Sequence, residues 1–126
     1  MKALGGLIQL MMGVTDMEES KRFYAEALGF DVTMDYGKGN ARWVNLSFPG
    51  GGATLTLTTY LDNHLQPGTM SLYLGTPDIQ HAYEELTAKG VTSTDEISDD
   101  LFGPGSGVKW FRFTDPDGNV LTIAQS

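Results

Sequence analysis

V-T-D-M-E-E-S-K-R-F-Y-A-E-A-L-G-F, residues 14–30, is where the hydrophobic period changes, and that change organises the chain. Just before it, residues 7–14 (LIQLMMGV) alternate with period two. Ile8, Leu10, Met12 and Val14 share one face, and Leu7, Gln9, Met11 and Gly13 the other, which predicts a strand. From Asp16 the period is helical. Asp16 is placed to cap a helix, with Glu19 three residues on as its capping-box partner. Met17, Phe23, Tyr24, Ala27 and Leu28 supply the apolar stripe, and Gly29 the left-handed stop. Three strands are predicted next, over 31–35, 42–48 and 53–59. A polar turn at 37–40 and a Pro-Gly-Gly-Gly turn at 49–52 separate them.

The second half repeats the plan. Residues 70–75 read as a strand, and Thr76-Pro77-Asp78 opens a helix, with Thr76 as N-cap and Pro77 at the first helical position. Ile79, Ala82, Tyr83 and Leu86 form its core stripe, and Gly90 ends it. A short strand over 92–97, an acidic and glycine-rich loop through Gly107, and strands over 108–114 and 119–124 complete the half. The last two are joined by the turn Asp115-Pro116-Asp117-Gly118. The two capping aspartates, Asp16 and Asp78, lie 62 residues apart, so each half reads β-α-β-β-β. The expected organisation is one domain over 1–126 made of two repeats, about 1–62 and 63–126, joined by a polar linker over 62–68.

Composition narrows the function classes. The 126 residues contain no cysteine, which excludes disulfides, thiolate metal sites and a cysteine nucleophile. A net charge of −8 speaks against a nucleic-acid surface or an anionic-membrane binder. No stretch approaches the ~20 apolar residues of a membrane span. The opening MKALGGLIQLMMGV lacks a signal-peptide pattern, so a cytoplasmic protein is expected. Sixteen glycines and five prolines exceed the roughly 12% expected of an average chain, which implies many tight turns.

The pattern D-x-x-x-S-x-x-F-Y-x-x-x-L-G-F from Asp16 to Phe30, with F-T-D-P-D-G-N-V-L at 113–121, resembles the vicinal oxygen chelate superfamily. This is the glyoxalase, bleomycin-resistance and dioxygenase group, and the resemblance covers essentially the whole chain. It implies an α+β fold in which two βαβββ modules form a curled mixed sheet around a ligand cup, with helices outside. It implies no single function, because the superfamily hosts isomerases, dioxygenases, transferases and binding proteins.

Metal-dependent relatives place ligands at four equivalent points of the cup. By resemblance these fall here on Gln9, Ser71, Thr56 and Thr122. Only Gln9 is a plausible donor, and it is neutral, whereas a divalent ion needs carboxylates or imidazoles to offset its charge. The two histidines do not help: His64 lies in the linker, and His81 lies off its helix's apolar stripe. A metal-free member without cofactor is therefore expected. The base that glyoxalase-type proton abstraction requires is also missing, so no catalytic residue is assigned.

Strand parity then selects the cup residues. If Val44, Leu46 and Phe48 face the core, Trp43, Asn45 and Ser47 face the cup. If Phe111 and Phe113 face the core, Trp110 and Arg112 lie opposite. Met11 and Tyr73 are equivalent by the 62-residue offset, and Phe102 falls in the rim loop. Gln9, Met11, Trp43, Asn45, Tyr73, Phe102, Trp110, Arg112 and Thr122 are thus the expected ligand-binding residues. Their mixture of aromatics with sparse polar groups suits a small organic, aromatic molecule. The acidic run Asp95, Glu96, Asp99 and Asp100 reads first as a solvated loop, with attraction of a basic ligand as the sharper reading.

The function expected is that of a bleomycin-resistance-type binding protein acting as a homodimer. A metal-dependent lyase, isomerase or dioxygenase and a non-catalytic scaffold with a filled cup are the alternatives.

Overall fold

The computed structural model describes residues 2–62, 65–92 and 96–126. The chain is α+β and divides into two compact units, Met1–Pro67 and Gly68–Ser126. Their junction falls inside the polar linker expected over 62–68.

The first unit runs β1 (Gln9–Gly13), α1 (Met17–Arg22), β2 (Asp31–Lys38), β3 (Ala41–Ser47) and β4 (Thr54–Thr58). Its sheet has the order β1-β4-β3-β2, with β1 parallel to β4 and the other pairs antiparallel. The expected alternation holds: Met12, Val44, Leu46, Leu55 and Leu57 are buried on one face of this sheet. Tyr24, wholly buried, donates its hydroxyl to Met12 Sδ at 3.4 Å and packs edge-on against Phe23 and Phe30. Asp16 caps α1 by accepting the Glu19 N–H at 3.2 Å. The helix differs from the continuous α-helix predicted to Leu28. After Arg22 it widens into a π-helical turn, Phe23–Ala27, closed by Leu28 N–H on Phe23 O at 3.1 Å. Gly29, at φ 80°, stops it.

Charges tie α1 to the sheet. Lys21 Nζ lies 2.6 Å from Asp35 Oδ2, and Arg42 reaches Asp35 Oδ1 at 2.8 Å and Glu18 Oε1 at 2.6 Å. Hydrogen bonds from Lys21 and then Arg42 hold the Asp35 carboxyl below its ordinary range. A carboxyl depressed in the folded state stabilises above its unfolded value, about 3.9, and loses that contribution as pH falls through the folded value. Asp35→Asn is therefore expected to cost about 0.5–1 kcal/mol at neutral pH. The gap to wild type should close as urea melts are repeated below about pH 4. A gap that stays constant down to pH 2 would assign the loss to packing instead.

The second unit runs β5 (Ser71–Thr76), α2 (Ile79–Ala88), β6 (Trp110–Thr114) and β7 (Val120–Gln125), with sheet order β5-β7-β6. Strand β5 is parallel to β7, and β6 is antiparallel to it. Phe111, Phe113, Leu121 and Ile123 are buried on one face, and Tyr83 of α2 meets Phe111 edge-on at 5.2 Å. The signature turn is structural. Asp115 accepts the N–H groups of Asp117 and Asn119 and the Asn119 side-chain amide, while Asn119 Oδ1 accepts Met70 N–H at 2.9 Å.

Two expectations are corrected in this unit. Thr76 is not the N-cap: it closes β5, and its hydroxyl accepts the Asp78 N–H at 3.3 Å. Asp78 caps α2 by accepting His81 N–H at 3.1 Å, so Pro77 precedes the cap instead of following it. Gln125, 46 residues away, satisfies the next donor by accepting Ile79 N–H at 2.8 Å. The second correction concerns the strand expected over 92–97. Thr92, Glu96 and Ile97 are not in a strand, and residues 93–95 lie outside the described ones. An isolated antiparallel bridge, Ser98 to Trp110, stands at the β6 edge.

Candidate ligand-binding faces

Each sheet turns a second, polar and aromatic face away from its buried leucines and phenylalanines. In the first unit the strand register places Met34, Asn45, Thr56 and Met11 in one row across the sheet, and Tyr36, Trp43 and Thr58 in the next. A chain of side-chain hydrogen bonds runs along this face. Gln9 Nε2 donates to Thr56 Oγ1 at 2.8 Å, and Thr56 Oγ1 donates to Asn45 Oδ1 at 2.7 Å. Trp43 Nε1 donates to the same oxygen at 2.9 Å. The network fixes the indole plane of Trp43 and satisfies the hydroxyl of Thr56, which is fully buried.

Gln9, Met11, Trp43 and Asn45 therefore share one face, as their parity predicted. Met34 and Tyr36 join them and were missed. Met34 lies inside the predicted strand, whose faces the sequence reading leaves unassigned, and Tyr36 lies beyond it because β2 continues to Lys38 instead of ending at Asp35. The apolar-polar alternation of Met34-Asp35-Tyr36 carried that signal.

In the second unit Tyr73, Thr122 and Arg112 form one row, and Trp110 lies in the next, opposite the core face of Phe111 and Phe113. Arg112 Nε donates to Thr122 Oγ1 at 3.2 Å, and its guanidinium lies 4.6 Å from the Trp110 ring centroid. Trp110 Nε1 donates to Asp99 O at 3.3 Å. Phe102 comes to the same face from the preceding loop and stacks near-parallel with Tyr73, centroids 6.4 Å apart. These five expected residues are thus brought together within their unit.

The donor set does not fit a catalytic divalent metal. At the four positions the superfamily uses stand one amide and three hydroxyls, and Thr56 and Thr122 already accept hydrogen bonds from Gln9 and Arg112. Among the described residues no group of three or more His, Asp or Glu side chains converges. His81 sits exposed on α2, 3.3 Å from Glu85, while His64 lies outside the described residues. Of the acidic run, Asp95 also lies outside them. Asp99 pairs with Lys109 at 2.8 Å, and Asp100 Oδ1 accepts Gly107 N–H at 2.8 Å. These two acids serve the loop's own structure.

A cavity of about 520 Å³ opens elsewhere in the first unit, beside the start of α1. It is lined by Asp16, Glu18, Asn40, Arg42, Thr59 and Leu61 among others, and includes none of the expected ligand residues.

The model of the Glyoxalase/Bleomycin resistance protein/Dioxygenase superfamily matches residues 6–123. The chain belongs to this superfamily. The chain is 31% identical over 122 residues to YurT of Bacillus subtilis (strain 168), covering 89% of this chain and 92% of that protein. The crystal structure of TnmS3, an antibiotic binding protein from Streptomyces sp. CB03234, superposes with a TM-score of 0.82 at 28% identity. That match covers 99% of this chain and 98% of TnmS3. A superfamily member from Sphaerobacter thermophilus DSM 20745 superposes with a TM-score of 0.78 at 29% identity, covering 98% of both chains.

Proposed function

We propose that this superfamily member is a metal-independent binding protein of the bleomycin-resistance type, which captures a small aromatic molecule and performs no chemistry on it. The observation that carries the reading is the content of the two polar faces. Where a metal-dependent enzyme needs carboxylates and a base, the first unit's face has the Gln9 amide bonded to the Thr56 hydroxyl beside Trp43. The second unit's face has the Thr122 hydroxyl bonded to Arg112, in a set with Tyr73 and Trp110. The likeness to TnmS3, described as an antibiotic binding protein, supports the same direction. Affinity comes from the aromatic rings, and orientation from Gln9, Asn45 and Arg112. The Arg112 guanidinium, 4.6 Å from the Trp110 ring centroid, holds that ring on the second unit's polar face.

Elemental analysis of protein purified without chelator tests the metal-independent part. Substoichiometric Zn, Ni, Mn and Fe are expected, and a stoichiometric metal lost in Gln9→Ala would restore the enzyme alternative. The reading includes a cytoplasmic homodimer. Exposed β2 offers an edge and apolar side chains that a two-fold partner can cover. Light scattering should give twice the chain mass of 13.7 kDa, and a concentration-independent value at 13.7 kDa counts against the dimer.

A further inference from the structure

On the first unit's polar face, one hydrogen bond can run in a single direction only. An indole N–H donates and never accepts. The atom that Trp43 Nε1 meets at 2.9 Å is therefore the oxygen of the Asn45 amide, Oδ1. Thr56 Oγ1 lies 2.7 Å from that same oxygen, so its one proton goes to Asn45. With that proton spent, Thr56 can only accept from Gln9, and it receives Nε2 at 2.8 Å. The whole chain, from Gln9 through Thr56 to Asn45, takes its direction from the Trp43 N–H.

Nothing else in the chain sets that direction. Turning both amides over gives a reverse chain with as many bonds, in which Asn45 Nδ2 donates to Thr56 and Thr56 donates to Gln9 Oε1. Beside the indole, that reverse chain sets donor against donor and strands the N–H of a half-buried ring, which is costly. The consequence lies at Asn45. Its Oδ1 has both lone pairs filled, by Thr56 and Trp43, so the rest of its amide offers N–H donors and no acceptor. Among the described residues Nδ2 has no partner, and Asn45 is half-buried on the open face.

We infer that Asn45 is a specificity-determining residue that selects a ligand presenting a hydrogen-bond acceptor beside Trp43, and that the Trp43 N–H locks this selection. The inference rests on the binding reading above and adds the chemistry of the ligand: a carbonyl oxygen or ring nitrogen at Asn45, not an N–H. Thr56, fully buried, is a positioning residue that carries the lock on to Gln9.

NMR tests the lock without a ligand and the selection with two. In wild type, one side-chain amide proton of Gln9 should show the shallow temperature coefficient of a bonded proton, and both Asn45 protons the steep one of unbonded protons. Trp43→Phe keeps a ring and removes the N–H; an Asn45 proton should then turn shallow as the reverse chain fills. The probes are coumarin, a fused bicycle whose polar atoms only accept, and indole, whose N–H only donates. Wild type is expected to bind coumarin roughly fivefold or more tightly than indole. Asn45→Asp keeps an oxygen for Thr56 and Trp43 but exchanges the spare donor for an acceptor, so the preference should reverse. A shallow Asn45 proton in wild type, or no change in Trp43→Phe, overturns the lock. Failure of wild type to prefer coumarin, or a preference unaltered in Asn45→Asp, overturns the selection. Retention of some other small molecule by that same wild-type protein would leave the binding reading standing while the selection falls.

Discussion

Phe111→Ala is expected to destabilise the protein by about 3–5 kcal/mol, whereas Trp110→Ala, one residue earlier on β6, should cost far less. The two side chains point to opposite faces of one strand. Phe111 is 1% exposed, packed edge-on by Tyr83 and next to Phe113, so truncation removes apolar burial and leaves a cavity. Trp110 is half-buried and held by Arg112 and the Asp99 carbonyl, contacts at a surface that water can partly replace. Urea denaturation of both variants measures the contrast directly. Unfolding by Trp110→Ala with a stable Phe111→Ala would mean that the register of β6 is wrong by one residue. Arg112 would then leave the candidate face as well.

Asn119→Ala should cost about 2–5 kcal/mol, although it removes no large apolar group. Asn119 has no exposed surface and makes three hydrogen bonds to two partners. Its oxygen accepts the N–H of Met70 ahead of β5, its amide donates to Asp115 Oδ2, and its own N–H donates to Asp115 Oδ1. Alanine keeps the last bond and strands the other two partners, each at about 1–3 kcal/mol. Gly68 lies in the same knot: at φ 79°, a Cβ there would collide with the Asp117 carbonyl. A loss under about 0.5 kcal/mol in a urea melt would show that water substitutes for the asparagine, and that the knot is solvated.

Local periodicity made much of this readable in advance. The two-residue alternation around Val44 and Leu46, and around Phe111 and Phe113, separates a buried face from a polar one. The structure has that separation. The period change at Asp16 and the left-handed stop at Gly29 are likewise local signals. What local pattern cannot contain are bonds between distant residues. The acceptance of Ile79 N–H by Gln125 spans 46 positions, and the Gln9–Thr56 and Met70–Asn119 bonds span 47 and 49. The same limit explains the Thr76 error. Thr76 and Asp78 are both good caps by type, and the choice depends on β5 pairing with β7 through Thr76. The bond from Gly107 N–H to Asp100 in the loop that carries Phe102 is likewise a seven-residue closure without periodic signature.

Metal-free capture without turnover is tested most directly by native mass spectrometry. Chelator-treated protein is offered a set of flat aromatic molecules, and each bound molecule is released and weighed. One unaltered molecule per chain is expected, with affinity reduced roughly five- to 150-fold by Trp43→Ala. Binding that appears only after a divalent metal is added, or release of a molecule with changed mass, would contradict it.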